Sequence, residues 1–213
     1  MLVIHYTGMR SAQAALDRLI DPAAQVSAHY LIDEDGAITR LVDEAKRAWH
    51  AGVSMWRGQA GVNARSIGIE LVNPGHEFGY RPFPEAQMQA LEELAAAIMA
   101  RHPAILADNI VGHSDVAPTR KADPGELFDW RRLAARGIGL WPQSAQVAAA
   151  LEPVGETEVG ATLAEIGYDI ADRTAAIVAF QRRFAPHRLD GVPDMDTRLA
   201  IAAIRAAAAK NEN

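Results

Sequence analysis

His113, Lys121 and Asp123 fall within one short stretch, VGHSDVAPTRKADPG (111–125), directly after an apolar run. An imidazole, an ammonium and a carboxylate this close together suit two readings: a solvated surface loop, or half of a metal site with a cation beside it. Pro118 and Pro124 restrict the backbone there. The remote partner is His5, set inside the apolar run LVIHY, where an unpaired imidazole is costly. Two histidines and a carboxylate make an open three-ligand set with its fourth position left to water. The chain has no cysteine, so zinc here must use nitrogen and oxygen donors, as catalytic zinc commonly does. Hydrolysis also needs a base and a charge stabiliser. Glu70, on the polar face of RSIGIELV, is the candidate base; Lys121, two residues before Asp123, is the candidate stabiliser. An edge-strand carboxylate facing water and an ordinary solvated lysine fit the same positions, so spacing alone leaves both readings open. Of the other histidines, His102 stands at a helix end and His187 lies far along the chain, and both are set aside.

Regular elements must hold these residues in place. Leu2–Thr7 reads as a strand, and Ser11 as the N-cap of a helix through Ile20 with Leu16, Leu19 and Ile20 facing inward. SAHYLIDEDGAITRLV predicts a hairpin turning at Asp35-Gly36. RSIGIELV alternates, with Ile67, Ile69 and Leu71 on one face and Ser66, Gly68 and Glu70 on the other. PEAQMQALEELAAAIMAR predicts a helix opening at Pro84, with Leu91, Leu94 and Ile98 on one face. DNIVGH reads as a strand that His113 closes. Strands alternating with helices give an α/β fold class, a central mixed β-sheet flanked by helices.

The composition shifts after Trp141-Pro142, and EPVGETEVG (152–160) has the character of a linker. Three helical patterns follow, near 159–167, 171–185 and 196–208, with Ile177, Phe180 and Phe184 sharing a face and Asp196 as N-cap of the last. The expected organisation is a site-bearing domain over 1–142, a linker over 143–158 and a small C-terminal three-helix bundle over 159–213. The 213 residues carry a net charge of −6 without a basic block, which argues against nucleic acid as a partner. No apolar run reaches the roughly 18 residues of a membrane span. The start, MLVIHYTG, has none of the marks of an export signal, so a cytoplasmic monomer is expected, with the periplasm or envelope as the alternative for a processed N-terminus.

Five motifs in order, VIHYTG, SAHYLIDEDG, AWHAG, SIGIELVN and GHSDVAPTRKADPG, resemble the zinc-dependent N-acetylmuramoyl-L-alanine amidases of the type-2 family, related to phage lysozyme-type amidases and peptidoglycan recognition proteins. The likeness covers about residues 1–142 and implies that His5, His113 and Asp123 are the Zn2+ ligands, Glu70 the catalytic glutamate and Lys121 the catalytic lysine. It places Trp49 and His50 of AWHAG along the substrate cleft and gives His29 a structural or outer supporting role. An aspartate as third ligand, where the phage branch has cysteine, resembles the bacterial recycling and envelope amidases. With all five positions intact, turnover of peptidoglycan or muropeptide is implied, at the amide between N-acetylmuramic or anhydromuramic acid and L-Ala. Residues 159–205 resemble the peptidoglycan-binding three-helix module, through IVAFQRRF and LDGVPDMDTRLAI, but the usual second glycine is replaced around Asp194 and Met195. The alternative is a peptidoglycan- or muropeptide-binding protein without turnover. A zinc peptidase has no HExxH helix to support it.

Overall fold

The computed structural model describes residues 1–142 and 152–209. Most of the expected linker, 143–151, and the last four residues lie outside the described residues. Five strands form the main sheet: β1 (Leu2–Tyr6), β2 (Tyr30–Ile32), β3 (Ile38–Arg40), β6 (Ile67–Leu71) and β7 (Ile110–Gly112), in the order β3-β2-β6-β1-β7. β2, β6, β1 and β7 run parallel, and β3 is antiparallel at the edge. The turn before β3 requires φ +90° at Gly36, where a Cβ would also lie 2.8 Å from the Ala86 carbonyl oxygen. A two-stranded ribbon, β4 (Met55–Trp56) with β5 (Gln59–Ala60), stands apart.

Alternation along the strands divides the core in two. Leu2, Ile4, Ile67, Ile69, Leu71 and Ile110 face one side and pack on α3 (Glu85–Arg101) through Met88, Leu91 and Ile98, and on α5 (Trp130–Ala134) through Trp130 and Leu133. Val3 and Val111 face the other side. They share one apolar cluster with Trp56, Val62 and three C-terminal helices, α6 (Val159–Ile166), α7 (Arg173–Phe184) and α8 (Met195–Ala209), through Leu163, Ile177, Phe180 and Ile204. Burying a side chain of this size contributes about 1.5–3 kcal/mol, so the second face depends on those helices. None of the helices among the described residues is long and apolar enough to cross a membrane.

Three local expectations are corrected. α1 (Ala12–Ile20) is capped by Ser11, whose Oγ accepts from the Ala14 N–H at 3.2 Å, but Ile20 is 59% exposed: the inward stripe is Ala15, Leu16 and Leu19, and the helix ends as Ile20 turns outward. The cap of α8 is Asp194 rather than Asp196, because its Oδ1 accepts from the Thr197 N–H at 2.9 Å and the helix starts one residue earlier than the charge pattern suggests. His113 does not close a strand; it opens a one-turn helix, α4 (His113–Val116), because the Asp115 carboxylate turns back to accept the Gly112 N–H at 2.8 Å.

Candidate metal centre

The parallel register sets His5 of β1 directly beside Glu70 of β6, so both side chains rise from the same face at the carboxyl ends of their strands. β7 ends on that side, and the first residue of α4 is His113. The chain then loops back, and the Ser114 N–H bonds the Asp123 carbonyl at 2.9 Å, which turns the Asp123 side chain toward both histidines. His5 Nδ1 and His113 Nδ1 lie 2.9 Å apart, and each is 3.0 Å from Asp123 Oδ2. All three residues are buried.

The far nitrogens fix which protons are where. His113 Nε2 faces the Ala51 carbonyl at 3.1 Å and must donate to it. Ser66 Oγ donates to the Val62 carbonyl at 2.6 Å, so it can only accept from His50 Nε2 at 3.2 Å. His50 Nδ1 is therefore an acceptor, and takes the N–H of His5 Nε2 at 3.0 Å. As neutral rings, His5 and His113 thus carry their proton on Nε2 and present bare Nδ1 lone pairs to the centre. With Asp123 Oδ2 this makes three acceptors crowded together and no donor among them, an arrangement that a cation satisfies. Burial, with His113 beside it, pushes the His5 imidazole down to about 4, and burial likewise pushes His50 well below its ordinary value. Both rings are neutral at neutral pH, the state a metal ligand and its supporting acceptor require.

Glu70 stands apart from this cluster. Its Oε2 is buried without a partner, and burial, reinforced by the charge of Asp123 and opposed by Lys121, pushes its carboxyl well above the usual range. The same burial makes its carboxylate form a stronger base than a solvated glutamate, suited to taking a proton and returning it during a reaction. A cleft of about 420 Å³ opens over the cluster, lined by Tyr6, Trp49, Glu70, His113, Lys121 and Asp123. Lys121 is exposed at its edge. Trp49 is 46% exposed and stands between this cleft and a second one that runs toward Gln25 and Gly52.

His50 reaches the cleft wall but is only 8% exposed, and its ring is turned inward to His5. The sheet makes room for it at Gly68, where a Cβ would lie 2.4 Å from His50 Cγ. Asn63, which the sequence did not single out, holds this corner by accepting the backbone N–H groups of His50 and Ala51 at 3.1 and 2.7 Å. His29 ties the same region together, between the Gly68 N–H at 2.9 Å and the Lys46 carbonyl at 3.0 Å. His102 bonds Glu44 at 2.7 Å, remote from the centre.

A mixed sheet with a His/His/Asp cluster and an unpartnered acid under one cleft has the parts that a metal-assisted hydrolase needs. A family profile described as N-acetylmuramoyl-L-alanine amidase matches residues 1–126. N-acetylmuramoyl-L-alanine amidase AmiD of Escherichia coli is 40% identical over 228 aligned residues, covering 96% of this chain and 81% of AmiD. 1,6-anhydro-N-acetylmuramyl-L-alanine amidase AmpD of Haemophilus influenzae is 42% identical, over 62% of this chain and 79% of its own. Among solved structures, AmiD from E. coli in complex with the substrate anhydro-N-acetylmuramic acid-L-Ala-D-gamma-Glu-L-Lys superposes with a TM-score of 0.87 at 39% identity, over 96% of this chain and 87% of that one. AmpDh3 from Pseudomonas aeruginosa gives 0.86 at 33% identity, over 96% and 90%. The chain belongs to the N-acetylmuramoyl-L-alanine amidase family.

Proposed function

We propose that this chain is a zinc-dependent amidase that hydrolyses the amide between the lactyl carbonyl of N-acetylmuramic or anhydromuramic acid and the L-Ala of the stem peptide, in cell wall turnover or recycling. The observation that supports it most is the three-acceptor cluster of His5, His113 and Asp123 with the unpartnered acid Glu70 on the same rung as His5. Nitrogen and oxygen donors with one open side suit zinc. Zinc at this position supplies Lewis acidity, lowering the pKa of water toward about 7 and polarising an amide carbonyl. Glu70 takes the proton of the attacking water and delivers it to the departing nitrogen of L-Ala, so that the C–N bond breaks to a free amine. Lys121, at the cleft edge, offsets the charge that develops on the carbonyl oxygen. Trp49 gives a flat apolar wall for a sugar or peptide face.

The substrate of the solved AmiD complex, an anhydromuramyl tripeptide, favours soluble anhydro-muropeptides as substrate, and with them a cytoplasmic site of action; intact wall would place the enzyme in the envelope. The C-terminal helices are proposed as the peptidoglycan-binding-like module, to be tested by co-sedimentation with sacculi. The deciding experiment is incubation of the purified zinc-loaded chain with anhydro-muropeptides and with sacculi, followed by mass analysis. Free stem peptide carrying an N-terminal L-Ala supports the reading. Retention on sacculi with intact substrate supports a binding protein instead, and cleavage within the stem peptide a peptidase.

A further inference from the structure

Asp115 has no part in the chemistry above, yet it is 1% exposed and all its partners are in place. Its Oδ2 accepts the Gly112 N–H at 2.8 Å and Arg183 Nη1 at 2.9 Å, and its Oδ1 accepts the Tyr168 hydroxyl at 2.8 Å. Arg183 and Tyr168 come from the C-terminal helical segment and are 6% and 3% exposed. Arg183 Nη2 reaches back to the Ile110 carbonyl at 3.3 Å and the Leu140 carbonyl at 3.2 Å, and the guanidinium lies 3.9 Å from the centroid of the Trp130 ring. One side chain therefore grips β7 three residues before His113 and α4 two residues after it. A buried ion pair is a weak contributor to stability compared with apolar side chains of the same size. A planar fork that bonds a carboxylate and two carbonyls at once does constrain direction.

We infer that Arg183 and Tyr168 are positioning residues of the metal centre: through Asp115 they fix the β7–α4 junction that aims His113, so the C-terminal helices complete the hydrolytic site as well as covering the sheet. This rests on the zinc reading above. The AmiD and AmpDh3 likenesses, which run over 96% of the chain, extend through these helices too.

The test uses the full chain with Arg183→Met, Arg183→Lys and Tyr168→Phe. Zinc affinity is read by competition with a chelator, together with the melting temperature of the metal-free protein and kcat and KM separately. Arg183→Met should weaken zinc about ten-fold or more and lower kcat with KM little changed. Arg183→Lys, which keeps the charge without the fork, should recover part of the loss. Tyr168→Phe keeps the ring packed against Trp56 and should weaken zinc about three-fold, so it decides the matter if Arg183→Met does not fold. Folded variants with lowered melting temperature but wild-type zinc affinity and kcat would overturn the inference and leave a purely structural contact. A wild-type chain that binds no zinc would overturn this and the preceding reading together.

Discussion

Replacing His50 by Phe separates two roles that the sequence could not. Phe keeps an aromatic ring there, somewhat larger than the imidazole, and Gly68 beneath it has no Cβ to obstruct it. What is lost is Nδ1, the acceptor of the His5 Nε2–H. Ser66 loses little, because its hydroxyl keeps the Val62 carbonyl at 2.6 Å. The damage therefore falls on His5, which is 1% exposed. An orphaned buried donor costs about 1–3 kcal/mol, and loss of the outer hydrogen bond of a metal-bound histidine typically weakens the metal 10–100-fold, about 1.4–2.7 kcal/mol. Metal-free His5 can turn its ring to recover a partner, so the melting temperature of the metal-free chain should fall by only roughly 2–10 °C. Chelator competition should find zinc binding weakened 10–100-fold, with KM for a muropeptide nearly unchanged. Unchanged zinc affinity with a many-fold rise in KM would refute the reasoning and return His50 to the substrate-contacting role implied by its place beside Trp49.

Four further outcomes follow from the same geometry. Glu70→Gln should lower kcat by about 10²–10⁴-fold while zinc stays bound; loss of the metal in that variant would make Glu70 a ligand. Lys121→Met should lower kcat by about 10²–10³-fold with zinc affinity intact, and an unchanged kcat would mark Lys121 as an ordinary surface residue. The pKa of His5 is depressed from 6.5 to about 4 in the fold, so its contribution to metal-free stability is present above 6.5 and lost as the pH falls toward 4. Urea titrations across that window should show a drop on the order of 3 kcal/mol, and a flat profile would mean His5 is not buried as a neutral ring. Gly68→Ala puts a methyl 2.4 Å from His50 Cγ; it should cost about 1–3 kcal/mol of stability and weaken zinc as well, and a neutral substitution would show that the His50 ring does not need this seat.

Much of the frame was legible because alternation is a local signal. Ile67, Ile69 and Leu71 against Ser66, Gly68 and Glu70 divides β6 into its two faces without any knowledge of its neighbours. The shared rung of His5 and Glu70 was not legible, because the register between strands 65 residues apart depends on the whole sheet. The sequence sets His50 beside Trp49 along the cleft but does not say that its ring also meets His5. The glycine inside β6 was the available sign that another group presses on that strand. Arg183, Tyr168 and Asp115 lie 53 and 68 positions apart in the chain, and a buried charge within an apolar helix face does not say whom it meets. The choice between Asp194 and Asp196 as helix cap depended on where the chain leaves the Asp190-Gly191 turn, below the resolution of a charge pattern.

β1 is flanked on both sides, with Leu2 in register with Ile67 of β6 and with Ile110 of β7. Neither neighbour has left the ribosome when β1 is made, and neither can be reached without closing a long loop. The donors have the same separation: His5 is 108 residues from His113 and 118 from Asp123. A half-folded chain therefore offers an ion single, scattered donors that hold it weakly, and the three-donor cluster exists only once β1 has inserted between β6 and β7. A metal held by these three donors would stabilise only the topology in which β1 lies between β6 and β7, linking capture of the ion to that long-range pairing.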